Sequence, residues 1–367
     1  MIYYAVAMTV TILLCSYNTK TYSLDIGAEA NCFRNARVAF LVLLPLTFLA
    51  LFRWDVGVDS LYGGTYWESY QDAVNDLNSR DFELGFYWLM RLFAQQGVPF
   101  FWFLFALSLL FMLFVSVAIS RGSVWTTWSV LVFFLLAVYF DCYSSLRQSL
   151  AEAISLIAWA EMGFRSPSKK KDIRILLIFA FAGLFHITAW MNIPIYLVCK
   201  IRFSRSGLLK FLILALLLTP ILQIVIRLFM QLLTDNSHYY YRGAARINAL
   251  MSLILAILCW YFYDEVTTLD ENAYMYLNSA VCIFVLLINS GAMYLPYRVF
   301  DMLKIGYIFI VPYLLRGIKQ SRVRLYTQLC ILLIFGMWFV NYYFLQDAAV
   351  ANYQSVFSVW NTVTKLP

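Results

Sequence analysis

The sequence predicts an all-α, polytopic transmembrane helix bundle of about twelve helices, ten to fourteen at the limits, and three observations carry that expectation. First, 63% of the 367 residues are hydrophobic and only 13% are charged, with a mean hydropathy of +0.74. Soluble domains sit at roughly 45–50% apolar and about 25% charged. No aqueous fold of this length hides so much apolar surface, so lipid must solvate most of it. Second, apolar stretches approaching the roughly 20 residues of a membrane span recur along the chain. Third, aromatic residues reach 19%, with 26 Tyr and 11 Trp; Tyr and Trp concentrate at membrane–water interfaces, which many short loops would visit.

The stretches are, in order, 2–17, 38–52, 98–119, 124–140, 145–163, 173–186, 187–200, 207–230, 247–263, 273–289, 299–315 and 325–345. No basic residue precedes the first, so it reads as a retained helix and not a cleaved signal. The pair 173–186 and 187–200 is too long together for one straight span, and each half is short alone. It reads as a tight hairpin, or as two short helices in a locally thinned bilayer. The largest external segment runs from about 53 to 97, and its second half, "FELGFYWLMRLFAQQG", alternates aromatic and polar residues at helical spacing, as an amphipathic helix on the outer leaflet would. A second external loop covers 231–246. With no 20–50-residue repeat, low-complexity tract or soluble linker, the chain reads as a single membrane-embedded domain, 1–367.

Charge sets the orientation. With the hairpin counted as two passes and the N-terminus outside, every basic cluster falls on the cytoplasmic side: Lys20/Arg34/Arg37, Arg121, Arg165 to Arg174, Lys200 to Lys210 and Arg316 to Arg324. These hold seventeen of the 27 Lys and Arg residues, as the positive-inside bias requires. Counting the hairpin as one pass would put neighbouring clusters on opposite faces. The same parity puts His186 at an outer tip, and leaves Arg53, Arg80, Arg91, Arg147, Arg242, Arg246 and Arg298 at or near the outer surface, against the bias.

Several chemistries are disfavoured. None of the seven cysteines forms a CxxC and most sit in apolar runs, so they read as small core residues. Two histidines, His186 and His238, rule out a His-rich metal site, and no metal ligand is assigned. There is no Walker A loop, GxSxG elbow or HExxH motif. The basic residues are scattered over short loops, which disfavours nucleic acid as a partner.

Four clusters combine reactive residue types. In "FRWDVGVDSLYGGTYWESY", Arg53, Asp55, Asp59, Tyr62, Tyr66, Trp67 and Tyr70 follow the second apolar stretch. Carboxylates can take hydroxyl protons and rings can stack on sugar faces, with Asp59 to orient a hydroxyl and the rings to hold glycan; the same loop also fits an ordinary polar segment with interfacial aromatics. In "SSLRQSLAEAISL", Arg147 and Gln148 open a helix, and Glu152 lies about 7.5 Å deeper at 1.5 Å per residue. An intramembrane charge faces the bundle interior, for function or as half of a structural Arg–Glu pair. In "GLFHITAWMNIPIY", His186 is either a satisfied core residue or an imidazole placed to accept a proton, or hold a hydroxyl, at the outer face. In "GAMYLPYRVFDMLK", Arg298 and Asp301 form an i, i+3 pair, or Arg298 binds an anion that Asp301 orients. A set of outward arginines suits a phosphate-bearing lipid, because guanidinium grips phosphate oxygens through paired donors.

These clusters, in this order, resemble the EpsG family of Wzy-like polysaccharide polymerases. The resemblance rests on an opening "YY" helix, Arg53 leading to "VGVDSLY", "ELGF" at Glu83 to Phe86, "RQSLA" at Arg147 to Ala151, "FHITAWMNIP" from Phe185 to Pro194, and a late Arg298 before a helix. It covers nearly the whole chain, and departs at Leu84, where the family has Pro, and Thr188, where it has Ser. The resemblance implies a fold similar to the glycosyltransferase C superfamily, and a glycosyltransferase at the outer face of the cytoplasmic membrane, in exopolysaccharide, capsule or O-antigen assembly. Such enzymes move a growing glycan from one undecaprenyl-pyrophosphate carrier onto the sugar of another, without nucleotide sugar or redox cofactor. On that reading His186, Asp59 and Glu83 are catalytic, Arg53, Arg147, Arg298 and Arg242 bind pyrophosphate, and Asp55, Tyr62, Tyr66, Trp67 and Gln148 contact glycan. The partners are lipid-linked repeat units and the bilayer, and the reading admits a chain-length regulator and a flippase. A transporter or flippase of lipid-linked oligosaccharides is the main alternative; an acyltransferase and a non-enzymatic assembly partner are the others.

Overall fold

The computed structural model describes residues 2–21, 32–57, 64–75, 82–164, 168–221, 223–224, 244–289, 294–345, 353, 355 and 357. They form α1 (Ile2–Thr21), α2 (Cys32–Val42), α3 (Leu44–Leu51), α4 (Thr65–Val74), α5 (Leu84–Gln95), α6 (Phe100–Gly122), α7 (Thr126–Leu135), α8 (Val138–Ser144), α9 (Leu146–Phe164), α10 (Lys169–Gly183), α11 (Asn192–Cys199), α12 (Arg205–Leu217), α13 (Ala244–Tyr261), α14 (Tyr263–Leu269), α15 (Tyr274–Asn289), α16 (Tyr294–Lys304), α17 (Tyr307–Gly317) and α18 (Ser321–Leu345). Short 3₁₀ turns occupy Ile187–Met191 and Glu271–Ala273. Among the described residues there is no strand, and one isolated bridge joins Arg53 to Ser355.

Among the described residues, three segments are long and apolar enough to cross a membrane unaided: Phe100–Gly122, Glu271–Ile288 and Ser321–Val340. Two bent pairs, α7 with α8 at 45° and α13 with α14 at 64°, bring the count to five. Among the described residues the apolar stretches therefore do not all become straight spans, and the end of the 207–230 stretch lies outside those residues. Several are cut by turns that hydropathy does not register. The 124–140 stretch breaks at Ala137, which sits in the left-handed region at φ 54. The 299–315 stretch breaks around Gly306, where Trp159 packs so closely that a Cβ would lie 2.8 Å from its ring. The chain is nonetheless a membrane protein in its surface chemistry. Along α18, Leu325, Leu329, Leu333, Met337 and Val340 recur every three or four residues and are all exposed, a stripe that only lipid accommodates without cost.

The core forms around α6 and α9, which run parallel. Their starts share one apolar cluster through Phe103, Leu107, Leu146 and Leu150. At their far ends Gly122 approaches Ala160, where a Cβ would meet the Ala160 backbone at 2.6 Å. Three buried tyrosines place their hydroxyls on partners, as a lipid-solvated interior favours: Tyr139 donates to the Leu46 carbonyl at 2.8 Å, Tyr276 to that of Trp159 at 2.8 Å, and Tyr307 meets Ser252 at 3.0 Å.

The ends of the bundle differ in chemistry. Where α6 and α9 finish, Arg121 and Arg174 both reach Glu161 at 3.5 Å, and Lys171 donates to the Met162 carbonyl at 2.9 Å. Beside them, Lys200 pairs with Asp172 at 2.5 Å and Arg202 with Glu271 at 3.6 Å. Basic residues from three predicted cytoplasmic clusters thus meet at one end. The opposite end, where α9 begins and α10 finishes, carries Arg147 and His186.

Candidate active site

Glu83 joins three segments that are remote in sequence. It is the residue before α5, and its Oε2 accepts from Arg147 Nη1 at 2.5 Å. Its Oε1 accepts from the backbone N–H of Ile187 at 3.1 Å, next to His186. The junction is closed by backbone: Gly85 N–H donates to the Leu184 carbonyl at 2.7 Å. A Cβ at Gly85 would stand 2.8 Å from that oxygen, so only glycine allows the approach. Leu84 is the first residue of α5 and is 61% exposed. Proline suits a first helical position because its missing N–H has no helical partner there, so leucine fills the place without disturbing the motif.

Burial by itself would raise the Glu83 carboxyl, but the Arg147 guanidinium, then His186 and the Ile187 N–H, outweigh it and hold the group below the usual glutamate range. Arg147 is further fixed by Tyr66, whose hydroxyl accepts from its Nε at 3.4 Å, and by the Phe82 ring, 4.6 Å below its guanidinium carbon. His186 is buried. Its Nδ1 accepts from the Thr188 backbone N–H at 3.3 Å and meets the Thr188 hydroxyl at 2.7 Å. A backbone N–H can only donate, so in the neutral ring the proton resides on Nε2. Nε2–H is then a donor, and the ring is poorly set up as a base. Thr188 places a hydroxyl beside the ring. Arg298, half-buried on α16, brings its charge to bear on His186, because α16 packs against the 3₁₀ turn that follows the histidine. Glu83, Arg147, His186 and Arg298 therefore converge.

Other expected site residues lie elsewhere. Tyr66 is buried against Phe82 and Phe86, so its ring is core and only its hydroxyl joins the site. Trp67 is half-buried against the same cluster. The Gln148 amide donates to Glu152 Oε1 at 2.8 Å. Asp55 is exposed at a left-handed turn, φ 49. Arg53 is buried among other partners and shares none with Arg147. Asp59, Tyr62 and Arg242 lie outside the described residues.

Sequence reasoning missed a buried charge cluster behind the site. Lys304, 1% exposed, pairs with Asp141 of α8 at 3.0 Å and with Asp301 at 3.2 Å. Asp301 thus pairs directly with Lys304 and also lies within the field of Arg298. Glu152, fully buried, is engaged by Gln148 and not by Arg147. The signal was present as single charges inside apolar runs, but Asp141 and Lys304 are 163 positions apart and nothing local links them.

The architecture and site define an all-helical membrane protein that gathers a carboxylate, an imidazole and two guanidiniums at the end opposite its basic clusters. The sequence profile of the EpsG family matches residues 37–355, and the chain belongs to the EpsG family. Searches of curated proteins and of solved structures returned no significant match.

Proposed function

We propose that this protein is a polysaccharide polymerase that joins lipid-linked repeat units at the outer face of the cytoplasmic membrane. The observation that carries the reading is the convergence at Glu83 of the three family motifs, "ELGF", "RQSLA" and "FHITA", beside Arg298. In the proposed reaction an acceptor sugar hydroxyl attacks the anomeric carbon of a growing glycan. The bond from that carbon to the pyrophosphate oxygen breaks, undecaprenyl pyrophosphate leaves, and the hydroxyl proton passes to the departing phosphate or to water. The leaving group gains charge as the bond breaks, so donors aimed at it lower the barrier. Arg147 and Arg298 supply guanidinium donors, His186 Nε2–H a neutral one, and Glu83 holds Arg147 in place. The acceptor loop around Asp55, Asp59, Tyr62 and Trp67 remains the proposed glycan side.

The test is reconstitution. Purified protein with a synthetic undecaprenyl-pyrophosphate oligosaccharide, and no nucleotide sugar, is expected to yield a ladder of longer glycans and free undecaprenyl pyrophosphate. Movement of the lipid-linked sugar across a vesicle membrane with no ladder would establish a transporter instead.

A further inference from the structure

Arg53 is the charge that the site above leaves out. Its side chain is 3% exposed at the end of α3. Nη1 donates to Ser108 Oγ at 3.1 Å and lies 3.9 Å from Cys142 Sγ, and the guanidinium carbon sits 4.8 Å from the centre of the Tyr143 ring. All three partners are neutral. Nε and Nη2, the two donors along one edge of the guanidinium, are buried and have no partner. A buried cation with open donors is costly to fold and, in a membrane protein, points to a ligand. The open edge has the paired geometry that two phosphate oxygens accept.

The surroundings suit a lipid tail. Phe48, Phe52 and Phe357 form a three-ring cluster, with centroids 4.7 Å, 4.9 Å and 6.2 Å apart. Phe105 packs on Phe52 at 5.7 Å, and Trp102 on Phe105 at 5.4 Å. Phe48, Trp102 and Phe357 are exposed. A guanidinium edge beside an open aromatic face matches a prenyl phosphate. Arg147 has a separate apolar border in Leu84, Leu184, Ile187 and Trp190, all exposed. Between the two arginines lies the α8–α9 junction: Tyr143 sits under Arg53, and Arg147 follows four residues later on the next helix.

We propose that Arg53 anchors a second lipid-phosphate site, distinct from that of Arg147, which holds the pyrophosphate of the acceptor carrier. The inference rests on the polymerase reading, in which both substrates carry pyrophosphate and only the donor loses it. The charge-rich Arg147, Arg298 and His186 group suits the departing one. Arg53, which need only retain its ligand, suits the other.

Native mass spectrometry of the detergent-purified full chain with undecaprenyl pyrophosphate tests this. We expect two bound molecules in the wild type, one in Arg53→Gln, one in Arg147→Gln and none in the double variant, with inorganic pyrophosphate occupying neither site at the same concentration. In reconstitution, Arg53→Gln is expected to raise the KM for a short lipid-linked acceptor by at least about tenfold while kcat changes less than about threefold, the mark of lost ground-state binding. If Arg53→Gln does not fold, Arg53→Lys is read instead, with the second molecule bound at least about fivefold more weakly for want of the planar fork. One bound molecule in an active wild-type enzyme, two retained in Arg53→Gln, or unchanged affinity in Arg53→Lys overturns the second site and leaves the polymerase reading intact. Two molecules bound by a protein that makes no ladder would overturn the polymerase reading and leave the site standing.

Discussion

Arg147 Nη1 and Glu83 Oε2 lie 2.5 Å apart, although 64 positions separate the residues in sequence. The contact fastens the start of α9 to the start of α5, and the second Glu83 oxygen fastens both to the turn after His186. Both side chains are about one-fifth exposed, so the pair is shielded enough to be specific and open enough to meet a ligand.

Replacing Arg147 by lysine keeps the charge and loses the second donor edge. We expect at least about a 10²-fold fall in polymerisation, the scale of losing one well-aimed transition-state donor, with membrane insertion unchanged. A double-mutant cycle of Glu83→Gln and Arg147→Lys should give a coupling of about 1–3 kcal/mol, because the two act as one unit. Wild-type glycan yield from Arg147→Lys would remove the residue from the mechanism.

Acid separates Glu83 from an ordinary surface carboxylate. Its folded pKa lies below the usual value of 4.5, so the unfolded chain binds its proton first and the stabilisation is present above that pH. It is lost as pH falls from about 4.5 through the lower folded value. The melting temperature of the detergent-solubilised wild type should exceed that of Glu83→Gln by a constant margin at neutral pH, and the margin should shrink below about pH 4.5. A margin that instead collapses between pH 5 and 7 would contradict the depressed carboxyl.

Much of this was legible in the sequence, and the rest was hidden for physical reasons. Helices α6, α15 and α18 are visible because long apolar runs leave few alternatives, and the motif residues Glu83, Arg147 and His186 were singled out before any contact was known. The breaks at Ala137 and near Gly306 were not: Ala137 is a non-glycine residue in the left-handed region, and Gly306 is packed by Trp159 from a distant helix. The polarity of Gln148 drew attention, but sequence cannot tell an amide that faces a ligand from one that answers a buried Glu152. The ion pair of Lys304 with Asp141 lies in the same class: each residue reads alone as an isolated charge.

That pair has a measurable consequence. Lys304 ties α16, which carries Arg298, to α8. Lys304→Met leaves Asp141 and Asp301 buried without their cation, and should cost about 3–5 kcal/mol of stability. Combining it with Asp141→Leu should recover part of the loss, since an apolar pair replaces a broken ionic one. Thermal unfolding in detergent reads both, and a Lys304→Met protein as stable as the wild type would show that the cluster does not hold α16.

The sidedness of the bundle can be read with a membrane-impermeant maleimide. Leu84→Cys is exposed beside the site and Lys170→Cys is exposed among the basic residues at the far end. In intact cells we expect labelling at 84 above the parent background, and labelling at 170 only after permeabilisation. Equal labelling of both in intact cells would overturn the proposed orientation.

His186 decides what kind of chemistry the site performs. With Nδ1 accepting from Thr188, the available group is Nε2–H, which can donate to a phosphate or sugar oxygen but not take a proton. Glutamine places an amide N–H close to the position of Nε2. His186→Gln should therefore keep a large part of the activity, whereas His186→Ala should lose about 10²-fold, the scale of one missing donor. A general base predicts a different pattern, in which glutamine is as poor as alanine and each loses about 10²–10⁴-fold. Thr188 separates the two further. Thr188→Val removes the hydroxyl that meets Nδ1 at 2.7 Å but keeps the backbone N–H that fixes the tautomer, so a donor role predicts only a partial loss, from a less firmly held ring, that His186→Gln/Thr188→Val does not deepen beyond His186→Gln alone. Each variant needs its expression and monodispersity in detergent measured beside its rate, because a buried ring truncated to alanine can also loosen the turn. A folded His186→Gln protein as inactive as His186→Ala would reinstate proton transfer at this residue and count against the donor assignment.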